Sequence, residues 1–113
     1  MIIAFTGHRD KQTTEEFLDM LPKDALWVHG GAKGFDSQVE NYAQRHNIKT
    51  KVIRPDYNKY TPKAAPLIRN KEIIRGADLL VACYDGRLYG GTFYTINLAR
   101  QQNIPIKYAG ISD

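Results

Sequence analysis

The chain predicts an α/β fold: a Rossmann-like three-layer sandwich around a parallel sheet of about five strands, in the order 3-2-1-4-5. Three observations carry this. Apolar runs of strand length alternate with helix-period patterns from end to end. Two of those runs end in glycine-rich turns that each open a helix, His29-Gly30-Gly31-Ala32-Lys33-Gly34-Phe35-Asp36 and Asp85-Gly86-Arg87-Leu88-Tyr89-Gly90-Gly91-Thr92. The 113 residues suffice for one core and are too few for two, so residues 1–113 read as one domain.

The elements follow in order. Ile2 to Thr6 is an all-apolar strand closed by Gly7. Thr13-Thr14-Glu15-Glu16 supplies cap residues and first-turn acids for a helix ending near Pro22. Ala25 to His29 is the second strand, with Trp27 in the core. Asp36 to His46 places Val39, Tyr42, Ala43 and His46 at helical spacing. Ile48 to Ile53 alternates apolar residues with Lys49 and Lys51, as an edge strand does. Arg54 to Lys63, with Pro55, Asn58 and Pro62, reads as a loop. Ala64 to Ala77 is a helix with Pro66 in its first turn, Leu67, Ile68, Ile73 and Ile74 free to face the core, and Gly76 at its end. Leu79 to Tyr84 is the fourth and most apolar strand, Gly91 to Gln102 a helix, and Ile104 to Tyr108 the last strand.

Composition excludes several classes. Hydrophobic residues make up 42% and charged ones 25%, ordinary proportions for a globular protein. No apolar run approaches the ~20 residues that cross a bilayer, and no basic-then-apolar leader opens the chain, so no membrane partner and no secretion are expected. With the single cysteine, Cys83, reading as a packing thiol, a cytoplasmic setting is expected. The net charge of +4 is scattered rather than blocked: it permits nucleic-acid binding without demanding it, and a basic cleft for an anionic small ligand or a solvated surface gives the same total. No His, Cys and carboxylate set has metal-ligand spacing, so neither metal nor cofactor is expected.

A strand, a glycine turn and a helix start together make an anion-binding device, because the glycines admit close approach and the first-turn N–H groups point at negative charge. Parallel sheets bind ligands beyond the carboxyl ends of their strands, where strand order reverses. If the second and fourth strands flank the first, three loops converge there. The candidate ligand-binding residues are Gly7 and Arg9 after the first strand; Gly30, Gly31, Lys33, Gly34 and Asp36 after the second; Arg69 and Asn70 on the third helix; and Tyr89, Gly90, Gly91 and Thr92 after the fourth strand. Asp36 suits either a helix cap or a ribose hydroxyl, and Tyr89 is the best base-stacking candidate. Thr92 suits both a cap and a phosphate contact. His8 is a weaker acid/base candidate, and His29 fits a turn.

Thr6-Gly7-His8-Arg9, His29 to Asp36, Ile68-Arg69-Asn70, Ala77-Asp78-Leu79-Leu80-Val81-Ala82 and Gly90-Gly91-Thr92 form an ordered set, from Ile2 to about Ile106, that resembles the SLOG superfamily. Within it the likeness is to small bacterial and phage proteins of the YspA-like kind. The resemblance implies a Rossmannoid domain that binds nucleotides or nucleotide-derived ligands, in many members as a sensor. The superfamily also contains the Lonely Guy phosphoribohydrolases and the single-strand-binding protein DprA. The enzymes carry Pro-Gly-Gly-x-Gly-Thr-x-x-Glu with a catalytic glutamate. Aligning Thr92 with their threonine puts Thr95 at that glutamate, which leaves hydrolysis by that route without its carboxylate.

The expected function is therefore binding of a nucleotide-like small molecule, as a sensor or sequestering module. The alternatives are N-glycosidic hydrolysis of a nucleoside monophosphate, with Asp10, Asp36 or Asp85 in place of the glutamate, and single-stranded nucleic-acid binding. A homo-oligomer that completes the site is a further expectation that the sequence leaves open.

Overall fold

Alternation of strand and helix holds throughout the computed structural model, which describes residues 1–112. The elements are β1 (Ile2–Gly7), α1 (Glu15–Asp19), β2 (Leu26–His29), α2 (Phe35–Arg45), β3 (Thr50–Val52), α3 (Ala64–Ile74), β4 (Leu79–Cys83), α4 (Gly91–Gln101) and β5 (Ile106–Ala109). The sheet is all-parallel in the order β3-β2-β1-β4-β5, as expected.

Successive side chains of a strand point to opposite faces, and both faces here are covered. Ile3 and Phe5 of β1 point one way, into a cluster with Trp27, Phe35, Val39, Tyr42 and Val81, under α1 and α2. Ala4 points the other way, to Val28, Leu80, Ala82, Ile73, Ile74 and Ile96, under α3 and α4. Trp27 is fully buried, 4.9 Å from the Phe5 ring and stacked on Tyr42 at 5.8 Å, and its indole N–H donates to Pro22 O.

Helix ends explain where the strands begin. Asn47 and Asn103 take left-handed backbone at φ 56° and 57°. Behind each, the next residue's N–H reaches back five positions, Ile48 to Ala43 O and Ile104 to Ala99 O, both at 2.9 Å. These are paired Schellman caps, in which the apolar residue after the turn belongs to the helix end. Hence β3 starts at Thr50 and β5 at Ile106, later than the apolar runs Ile48–Ile53 and Ile104–Tyr108 suggest. α1 is also shorter than expected. Thr14 caps its start by accepting from Phe17 N at 3.2 Å, and Lys23 Nζ closes its end by donating to the carbonyls of Leu18, Asp19 and Leu21. Leu67 does not face the core: α3 turns Ala65, Asn70, Ile73 and Ile74 inward and leaves Leu67 exposed.

With β1 central between β2 and β4, the loops after all three strands leave the same edge of the sheet. No helix among the described residues is long and apolar enough to cross a membrane.

Candidate functional site

A cleft of about 390 Å³ opens at that carboxyl edge, within the ~300–1,000 Å³ usual for small-molecule sites. Its floor is the end of β1 and the loop that follows it, from Phe5 to Asp10. One wall is Ala32 and Asp36, at the start of α2. The opposite walls are Pro66, Arg69, Asn70 and Ile73 of α3, and Arg87 with Tyr89 to Thr92 leading into α4. The two glycine-rich segments thus share one cavity.

The first glycine turn works differently from a cradle of amides. Gly30 N and Ala32 N both donate to Asp36 Oδ2 at 3.2 Å, and Gly31 N donates to His29 Nδ1 at 3.0 Å. The other ring nitrogen of His29 faces Glu40 Oε1 at 2.7 Å, so His29 braces the turn from beneath, as a turn histidine should. The carbonyls face outward and hold guanidinium groups: Gly30 O accepts from Arg69 Nη1 at 2.9 Å, and Gly31 O accepts from Arg54 Nη1 at 3.1 Å. Gly34 has φ 76°, and a Cβ there would lie 2.6 Å from His8 O, with Arg9 O also in its way. Backbone therefore closes over the start of α2, whose N-terminus has no side-chain cap.

Asp36 neither caps its own helix nor points at solvent. It is 6% exposed; Oδ2 ties the turn, while Oδ1 is buried with no hydrogen-bond partner among the described residues. Burial raises its pKa, against the pull of His29, the two amides and Arg69. A buried polar atom lacking a partner is rare and costly, and Asp36 is among the residues lining the cleft.

The start of α4 is the free set of amides. Gly90 (φ 93°) precedes the helix, there is no side-chain cap, and Tyr94 N is the first to reach an intrahelical carbonyl, Gly90 O at 3.0 Å. The N–H groups of Gly91, Thr92 and Phe93 lie outside the ladder, where the helix dipole favours an anion. Thr92, read from sequence as a cap, instead sits in the first turn, 4% exposed. Asn70 Nδ2 lies 3.3 Å from where a Gly91 Cβ would stand, so a side chain there would crowd it. Asn70 Oδ1 accepts from Arg69 Nε at 2.8 Å, which aligns the guanidinium between the two glycine segments.

The cations of the cleft differ in their freedom. Arg87 is locked: it forks onto Asp85 and reaches Asp10 at 3.4 Å, holding the Asp85 carboxyl well below the usual range while its own pKa rises. His8 is buried against this pair, 3.1 Å from Asp85 Oδ1, and burial followed by Arg87 lowers its pKa. Arg9 and Arg69 have no ion pair within 4 Å among the described residues. Arg69 is half-buried, and desolvation lowers its pKa, with Arg9 and Arg54 acting in the same direction.

Of the sequence candidates, the cleft gathers Gly7, Arg9, Asp36, Arg69, Asn70, Tyr89, Gly90, Gly91 and Thr92. Gly30, Gly31, Lys33 and Gly34 do not line it, and Lys33 is exposed. Gly7 is required by packing as well, since a Cβ would meet Phe35 Cβ at 2.6 Å. Tyr89 is 69% exposed on the rim, with the Arg87 guanidinium 6.0 Å from its ring centre. Sequence reasoning missed Arg87 and Arg54. The pairing of Arg87 with Asp85 two residues before it was a local signal; Arg54 had none. Thr95 is 1% exposed and donates to Gly91 O at 2.8 Å, inside the helix packing.

Compared with known proteins, the chain matches no family model, no curated protein and no solved structure.

Proposed function

We propose that this cleft binds a nucleotide or a nucleotide-derived small molecule, and that the protein acts by occupancy, as a sensor or sequestering module. The observation that carries the reading is the orphaned Oδ1 of Asp36 sharing a cavity with the uncapped start of α4. A phosphate fits the free amides of Gly91 and Thr92, with Arg69 and Arg9 supplying charge-assisted hydrogen bonds. A sugar hydroxyl fits Asp36 Oδ1. Tyr89 offers a face for a base at the rim. The motif likeness to the SLOG superfamily points the same way. The position of the phosphoribohydrolase glutamate is held by Thr95, whose hydroxyl is spent on its own helix, which favours binding over that hydrolysis.

A thermal-unfolding screen with nucleoside monophosphates and diphosphates of the four common bases tests this. Ligand at ~100 times its Kd stabilises by about 2.7 kcal/mol, a readily measured rise in Tm. A rise with at least one nucleotide, absent with its free nucleoside, is expected. No rise with any of them overturns the reading.

A further inference from the structure

Consecutive glycines in the first turn each make room for an arginine. A Cβ on Gly30 would strike the Arg69 guanidinium, and one on Gly31 would lie 2.7 Å from Arg54 Nη1 and 2.8 Å from its Cζ. Each guanidinium also donates to the carbonyl of the glycine it covers, at 2.9 Å and 3.1 Å. Two long side chains, one from the loop after β3 and one from α3, are thereby pinned on neighbouring peptide units.

Neither arginine has a carboxylate within 4 Å among the described residues, and Arg9 adds a third cation within electrostatic reach of Arg69. The nearby carboxylate, Asp36, is already tied to two amides through Oδ2. Gathering like charges without a counter-ion costs free energy that an arriving anion offsets. Each pinned guanidinium keeps N–H donors beyond the one its glycine accepts, since an arginine carries five. Arg69 lines the cleft, while Arg54 stands just outside it on the exposed flank.

We infer that Arg54 and Arg69 together hold a second anionic group of the bound ligand, so that the site takes a nucleotide bearing at least two phosphates in preference to a monophosphate. This rests on the proposed nucleotide-binding reading and adds a second subsite to it. The first phosphate lies at the start of α4, and the chain of phosphates runs across Arg69 toward Arg54.

Calorimetric titration of the wild type and Arg54→Gln with the mono- and diphosphates of each common nucleoside decides the matter. The wild type should bind the diphosphate of its preferred nucleoside about tenfold or more tightly than the monophosphate, as one added charge-assisted contact allows. Arg54→Gln, on an exposed position, should erase that preference and leave monophosphate affinity unchanged. Equal affinity for both ligands in the wild type, or a preference that survives Arg54→Gln, overturns the second subsite and leaves the nucleotide site standing. No binding of any nucleotide overturns both.

Discussion

The guanidinium of Arg69 rests on the carbonyl of Gly30, 39 residues earlier in the chain, at 2.9 Å. This one contact ties α3 to the turn after β2 and sets a half-buried cation at the edge of the cleft. It also changes the meaning of the first glycine turn. The turn's amides serve Asp36 and His29, and its carbonyls serve as mounts for arginine. In the proposed reading, anion recognition divides between guanidinium groups on one side of the cleft and the helix start at Gly91 on the other.

Gly30→Ala separates the mount from the fold. Gly30 is not in a positive-φ conformation, and the atoms a Cβ would meet belong to the flexible end of Arg69. The variant should unfold within about 1 kcal/mol of the wild type while losing about tenfold in nucleotide affinity. Denaturant titration and calorimetry on the same sample check both halves.

Gly34 and Gly76 offer a matched pair. Both have positive φ, 76° and 75°, but Gly34 faces backbone carbonyls while Gly76 faces open space. Gly76→Ala should cost only the left-handed strain, about 1–2 kcal/mol. Gly34→Ala adds a collision with backbone that cannot swing aside, and should cost upward of about 3 kcal/mol. Urea unfolding of the two variants gives the comparison.

Asp36 makes stability depend on pH in a direction set by its burial. Its folded-state pKa is raised above the ordinary 3.8, so in the pH window between the two values the folded chain holds a proton that the unfolded chain has released. The contribution is full below the unfolded value and is lost as pH rises through the folded one. Asp36→Asn keeps an oxygen for the Gly30 and Ala32 amides and has no proton to lose. The stability of the wild type relative to this variant should fall as pH rises from acid to neutral; a relative stability that rises with pH instead contradicts the assignment.

Cys83 should be inert. It is fully buried at the end of β4, and burial pushes its thiol up to about 11. A thiol–disulfide exchange reagent at mildly alkaline pH should modify it only after denaturant is added.

Strand order, element order and the converging loops were legible because each rests on local pattern: apolar runs, glycine punctuation and the parallel-sheet rule. Boundaries at Ile48 and Ile104 were misread because an apolar residue after a helix looks the same whether it starts a strand or closes a Schellman cap; only the left-handed Asn47 and Asn103 before them tell the two apart. The glycine segments were found, but their division of labour was not. Which way a peptide unit faces depends on partners distant in sequence, Arg69 and Arg54 for the carbonyls of Gly30 and Gly31, and no spacing rule links them. The two fates of the Asp36 oxygens were hidden for the same reason.

The central claim is that Arg69 and the start of α4 hold a nucleotide phosphate between them, and calorimetric titration of wild type and Arg69→Gln with the nucleotide that most raises Tm tests it most directly. Loss of a charge-assisted contact predicts affinity weaker by about tenfold to a hundredfold in the variant, with its fold intact by circular dichroism. Undiminished affinity in Arg69→Gln, or no measurable binding by the wild type, would contradict it.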